Sequence, residues 1–188
     1  MMQRKMIAPA AGKILIAEPA LNDFYFKQSV IMLADHNEDG SLGIIINKPM
    51  DIRLSKVIKG WGGFNPRLFF GGPVSTDSIF FIHRMGDRIP GAQKVTEGVF
   101  WGGDWNVALE LMLQNQITMH DIRIFMGYSG WSAHQLDSEL THDSWVVSTL
   151  TPHQLFYTRP SGMWSSLVRN LGTHYAIWAN YPADPAMN

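Results

Sequence analysis

The sequence predicts a mixed α/β fold: a single compact unit spanning residues 1–188, with helices flanking a mixed β-sheet. Three observations predict it. Short apolar, β-branched runs dominate the first half. Helical and strand-like patterns alternate in the second. No internal repeat, low-complexity segment or composition-marked linker divides the chain.

Lys13 to Ala17 reads as a short buried strand stopped by Pro19, and Ser29 to His36 as a second apolar run. Asn37-Glu38-Asp39-Gly40 then supplies hairpin-turn chemistry. Leu42 to Asn47 completes the hairpin through Ile44, Ile45 and Ile46, a run apolar on both faces that predicts a central strand covered on both sides. Pro49 is expected to end it. A short helix is predicted from Leu54 to Lys59, followed by strands over Arg67–Phe70, Ile79–His83 and Gly98–Trp101.

Asp104 is a good N-cap for the clearest helix, in which only Glu110 and Gln114 make a polar stripe, so that helix is expected to be mostly buried. Asp121 to Tyr128 reads as a strand. Ser132 and Gln135 have capping-box spacing for a helix running to about Thr141. A late strand over Trp145–Thr149 and a helix opened by Pro160 and ending near Gly172 complete the pattern. Pro182 and Pro185 predict an irregular tail.

Composition narrows the function classes. At 46% hydrophobic and 16% charged residues the chain is globular, not disordered. The absence of cysteine excludes a disulfide scaffold, a thiol nucleophile, a cysteine zinc site and an iron–sulfur cluster. Pro9, Gly12 and Lys13 interrupt any signal-peptide core, and no apolar run approaches the ~18 residues of a membrane span. The expectation is a soluble, cytoplasmic protein without a membrane partner. Residues 1–94 carry 12 Lys and Arg against 8 Asp and Glu, and residues 95–188 carry 3 against 8.

Several motifs touch on chemistry. Gly127-Tyr128-Ser129-Gly130-Trp131 sits at a strand end, but a nucleophile elbow needs glycine where Trp131 stands. Glu139 and His142 form one Glu-x-x-His pair, whereas a di-iron site needs that motif twice. Gly71-Gly72-Pro73 leads toward a strand, not the helix that a phosphate loop requires. Lys48, Arg53, Lys56, Lys59 and Arg67, interleaved with Trp61 and Phe64, form the one basic aromatic stretch; no helix-turn-helix accompanies it. His36 and His83 both end predicted strands.

An ordered set of short pieces runs through the chain. It begins with Leu15-Ile16-Ala17, Pro19-Ala20-Leu21, Asp23-x-x-Phe26, Ser29-Val30, His36, Gly40, Gly43 and Ile46-Asn47-Lys48-Pro49. It continues through Gly71-Gly72-Pro73-Val74, His83, Asp104, Gly127-Tyr128-x-x-Trp131, Gln135-Leu136, Glu139 and Trp145. Over about residues 12–172 this set resembles the YqgE/AlgH family of bacterial proteins. The resemblance implies a mixed sheet curled into a barrel-like shape. It also brings the label of transcriptional regulator, without an agreed biochemical function or established catalytic residues.

The reading from the residues is a binding module for a small molecule or a protein partner, as a monomer or homodimer, with no cofactor, no metal and no direct reading of nucleic acid. Its candidate ligand-binding residues are Asn47, Lys48, Gly71, Gly72, His83, Tyr128, Trp131 and Gln135. Most follow predicted strands, where α/β sheets build their sites. In this reading Lys48 supplies charge, Gly71 and Gly72 supply N–H donors, and Tyr128 and Trp131 form a flat wall. The alternatives are an enzyme of hydrolase or metal-dependent type at the same loops, and a regulator that binds DNA directly.

Overall fold

Ile44, Ile45 and Ile46 are all completely buried, and they are buried on two sides: Ile44 and Ile46 in one core, Ile45 in another. The alternation of side chains along a strand requires this division once both faces of the sheet are covered. The same partition runs through Ile14 and Ile16 against Leu15, and through Val30 and Met32 against Ile31. The computed structural model describes residues 7–21 and 23–181.

Ten strands are described: β1 (Ile14–Ala17), β2 (Val30–Asn37), β3 (Gly40–Ile45), β4 (Pro49–Arg53), β5 (Arg67–Phe70), β6 (Val74–His83), β7 (Gln93–Thr96), β8 (Val99–Trp101), β9 (Ile122–Ser132) and β10 (Trp145–Ser148). They form one mixed sheet in the order β10-β1-β2-β3-β9-β6-β8-β7, with β5 pairing β9 and β4 pairing β5. Every pairing is antiparallel except β5 with β9. The sheet curls but stays open, because β10 and β7 end the order without pairing each other. β9 organises it: its first half pairs β5 and β6, and its last four residues pair β3.

The helices are α1 (Leu54–Val57), α2 (Trp105–Leu113), α3 (Gln135–Thr141), α4 (Pro152–Tyr157), α5 (Pro160–Asn170) and α6 (Thr173–Ala176). Leu155 and Phe156 of α4 and Met163, Trp164, Leu167 and Val168 of α5 cover the first core. Trp164 also donates its indole N–H to Ala17 O at 2.9 Å, tying α5 to β1. Leu136 of α3 closes the second core; Ala108 and Met112 of α2, with Leu54 and Leu68, fill a third. None of the described helices is long and apolar enough to cross a membrane.

Several local expectations need correction. Pro49 does not stop the chain from being extended: it opens β4, where a missing N–H is tolerated at the first residue of an edge strand. The polar strand β7 carries no apolar alternation to announce it. α2 is capped by Asp104 as expected, its Oδ1 accepting from Asn106 N and Val107 N. Yet only Ala108 and Met112 are buried and Leu113 is half exposed, because one face alone meets the third core. Ser132 ends β9 and does not cap α3; the N-cap is His134 in the left-handed region, at φ 61°. The complete capping box is Thr151 with Gln154, at the start of α4. The tail around Pro182 and Pro185 lies outside the described residues.

Candidate functional site

The candidate residues at the strand ends are held largely by the backbone of neighbouring segments. Asn47 Oδ1 accepts from Val30 N at 2.8 Å and its Nδ2 donates to Gln28 O at 3.0 Å, fastening the start of β2. Lys48 Nζ donates to Tyr25 O at 2.5 Å, and desolvation lowers its pKa against the raising effect of Asp23. Gly71 N donates to Met126 O at 2.9 Å. A Cβ on Gly71 would lie 2.2 Å from Gly127 O, and one on Gly127, at φ 72°, would lie 2.3 Å from Gly72 O. These glycines, with Gly72 against the Tyr128 backbone, allow two chain segments to touch.

The wall predicted from Tyr128 and Trp131 is divided. The Tyr128 ring meets Phe80 edge-on at 5.5 Å beside the first core, whereas Trp131 is buried in the second. Trp131 and Gln135 do converge, on Glu139: the indole donates to Oε2 at 2.8 Å and the Gln135 amide to Oε1 at 3.0 Å. Trp145 adds a third donor at 2.7 Å, so the carboxylate of the Glu-x-x-His pair accepts three hydrogen bonds from the protein. Among the described residues no group of three or more His, Asp or Glu is arranged to hold a metal.

His83 is completely buried between Phe81 and Phe100, with ring centroids 5.7 and 5.8 Å away. Its Nδ1 accepts from Met85 N at 3.1 Å, which leaves Nε2 as the N–H donor to Gly102 O at 3.0 Å. Burial lowers its pKa, and the bond to Gly102 opposes that fall. Ser129 is also completely buried, its hydroxyl donating to Gly71 O at 3.2 Å. That hydroxyl is not presented to a substrate.

A different place gathers cationic groups around an open apolar space. A cleft of about 450 Å³ lies between the β4–β5 ribbon and the turn from α4 to α5. Phe64, Phe69, Met119, Phe156, Tyr157 and Pro160 give it apolar walls. Arg53, Arg67, Arg123, Arg159 and His120 also line it, and none of its described lining residues is Asp or Glu.

Arg123 is the group that needs explaining. It stands in an otherwise apolar stretch of β9, shares a strand face with Phe125, and is 6% exposed. Nη1 donates to Ile46 O at 2.8 Å and the guanidinium lies 4.6 Å above the centre of the Phe69 ring. Among the described residues it has no carboxylate partner. Burial pulls its pKa down to about 10, so it remains charged at neutral pH.

At the mouth, Arg53 and Arg67 are direct cross-strand partners in the β4–β5 ladder. Like charges opposed in this way destabilise a sheet. Arg53 Nη1 donates to Asn65 O at 2.9 Å, while Arg67 lies 3.6 Å from the fully exposed carboxylate of Asp51. On one lip, Tyr157 stacks between two imidazoles, His120 at 4.2 Å and His153 at 4.7 Å, with planes within 5° of parallel. Of this set, only Arg53, Arg67 and Phe64 lie in the basic aromatic stretch visible in the sequence. Arg123 carried a signal of its own, a cation inside Ile-Arg-Ile-Phe; Arg159, His120 and Tyr157 carried none.

Fold and cleft together define a mixed-sheet α/β protein with a cationic, part-apolar concavity at one edge of its main core. The chain belongs to the AlgH-like family, whose model matches residues 14–176. A UPF0301 protein of Chlorobium limicola is 41% identical over 177 residues, covering 94% of this chain and 95% of that protein. One from Parabacteroides distasonis is 38% identical over 184 residues, covering 97% and 93%. The solution structure of the AlgH protein from Pseudomonas aeruginosa matches with a TM-score of 0.72 at 27% identity, covering 95% of this chain and 98% of that one. A Corynebacterium diphtheriae crystal structure matches with a TM-score of 0.78 at 20% identity, covering 95% of each, a likeness of fold alone.

Proposed function

We propose that the protein is a binding module for a small organic anion, held in the cleft between the β4–β5 ribbon and the α4–α5 turn. The observation that carries this reading is Arg123: a buried, charged guanidinium without a carboxylate partner among the described residues, bordering an apolar space. A buried charge without a counter-ion is costly, and an oxyanion accepting a charge-assisted hydrogen bond offsets that cost. Concave apolar walls with a few convergent polar groups are the usual form of a small-molecule site. A regulatory role, as the label of the resembled family suggests, would then act through ligand occupancy. The exposed Lys56 and Lys59 stand outside the cleft lining, which also favours a small ligand over a nucleic-acid track.

The test is calorimetric titration of benzoate and of inorganic phosphate into the purified protein at low salt. Saturable binding of either at one site per chain, lost in Arg123→Met, is the expected result. No saturable binding of these anions or of an aromatic dicarboxylate, or undiminished binding in the variant, would overturn the reading.

A further inference from the structure

The charges of the cleft are divided between two places. Arg123 is buried, whereas Arg53, Arg67 and Arg159 are exposed at the mouth, with Phe69, Phe156 and other apolar side chains also lining the space. A ligand with one anionic end would answer only one of these places. If it paired with Arg123, the facing pair Arg53 and Arg67 would have only the exposed Asp51 carboxylate, 3.6 Å from Arg67, against its repulsion. If it stayed at the mouth, the buried charge would keep its cost.

Resting on the cleft being the binding site, we infer that its ligand is a two-ended anion: an oxyanion at each end of a flat apolar middle. One end accepts hydrogen bonds from the Arg123 guanidinium, and Phe69 and Phe156 flank the middle. The other end lies between Arg53 and Arg67, with Arg159 within the same rim. Carboxylate and phosphate share the required chemistry, since each accepts a fork of two N–H donors from arginine.

Four probes separate charge from its placement. Benzoate carries one charge, phenyl phosphate carries its charge at one end, and terephthalate and the longer biphenyl dicarboxylate carry one at each end. Titrated under one set of conditions, the better dicarboxylate is expected to bind at least about tenfold more tightly than benzoate or phenyl phosphate, the scale of one added charge-assisted contact. In the exposed double variant Arg53→Gln with Arg67→Gln, the ratio of dicarboxylate to benzoate affinity should fall toward one. Circular dichroism and a thermal midpoint on the same samples confirm that the variant is folded; Arg159→Gln gives a second, independent reduction of the ratio.

A wild-type ratio near one, phenyl phosphate binding as tightly as the better dicarboxylate, or a ratio that persists in the double variant would each overturn the two-ended ligand. Single-site binding of benzoate would in those cases leave the cleft standing as an anion site. If none of the four probes binds, the cleft assignment itself falls, and the inference with it.

Discussion

Trp131 and Trp145 donate their indole N–H groups to the same oxygen, Glu139 Oε2, at 2.8 and 2.7 Å, with their rings at 81° and centroids 6.2 Å apart. Trp131 belongs to β9 and Trp145 opens β10, so Glu139 joins two strands well separated in the sheet order through α3. Replacing it with Gln keeps an acceptor but removes the charge that strengthens both bonds. Glu139→Gln is expected to lower unfolding free energy by about 1–3 kcal/mol, and Glu139→Ala, which leaves both indoles unpaired, by more. Urea denaturation followed by tryptophan fluorescence measures both, and an unchanged midpoint would contradict the shared acceptor.

Arg123 opposes stability and binding to each other. A linear apolar side chain at that position removes the buried charge and still covers Phe69. Arg123→Met is expected to match or exceed the parent in unfolding free energy, by about 1 kcal/mol, while losing anion binding. A midpoint well below the parent would show that the bond to Ile46 O outweighs the burial cost.

His83 gives the fold a defined pH dependence. Because burial lowers its folded pKa below the ordinary value of 6.5, the unfolded chain takes up the proton first as pH falls. Its contribution is therefore fully present above about pH 6.5 and is lost progressively as pH drops from there through the folded pKa. Denaturant midpoints measured from pH 7.5 to 5 should decline, with a shallower slope in His83→Gln, which keeps a donor and an acceptor but does not titrate. Equal slopes would remove His83 as a source.

Gly71 is fixed by contact. An added Cβ would sit 2.2 Å from Gly127 O and 3.1 Å from Phe125 Cβ, and the backbone oxygen has little room to move within the ladder. Gly71→Ala is expected to cost about 3 kcal/mol or more, the upper part of the overpacking range, with loss of soluble yield as the first sign. A yield and thermal midpoint equal to the parent would mean that β5 and β9 can separate without penalty.

The alternation of apolar residues, the turn at Asn37–Gly40, the cap at Asp104 and the proline that opens α5 act locally. The strands β1, β2, β3, β5 and β9 and the helices α2 and α5 were accordingly legible from the chain alone. The double coverage of Ile44–Ile46 was legible for the same reason: an unbroken β-branched run after a hairpin turn points to a strand covered on both faces. β7, polar and at the sheet edge, and α4, only six residues long, offered no periodic pattern.

The site is another matter. Glycines and polar groups at strand ends suggest a loop pocket, but only the packed backbone shows that Gly71 and Gly127 are where two segments touch, and that Asn47 and Lys48 are bonded to residues 25–30. Arg53 and Arg67 lie 14 residues apart in sequence, Arg123 and Arg159 much further along. Their meeting depends on the β4–β5 register, on the parallel placement of β5 beside β9 and on the α4–α5 turn folding back over the sheet. Sequence periodicity fixes which face of an element is apolar. Which charged residues share a cleft is decided by long-range strand pairing and helix packing, and a local pattern does not encode those.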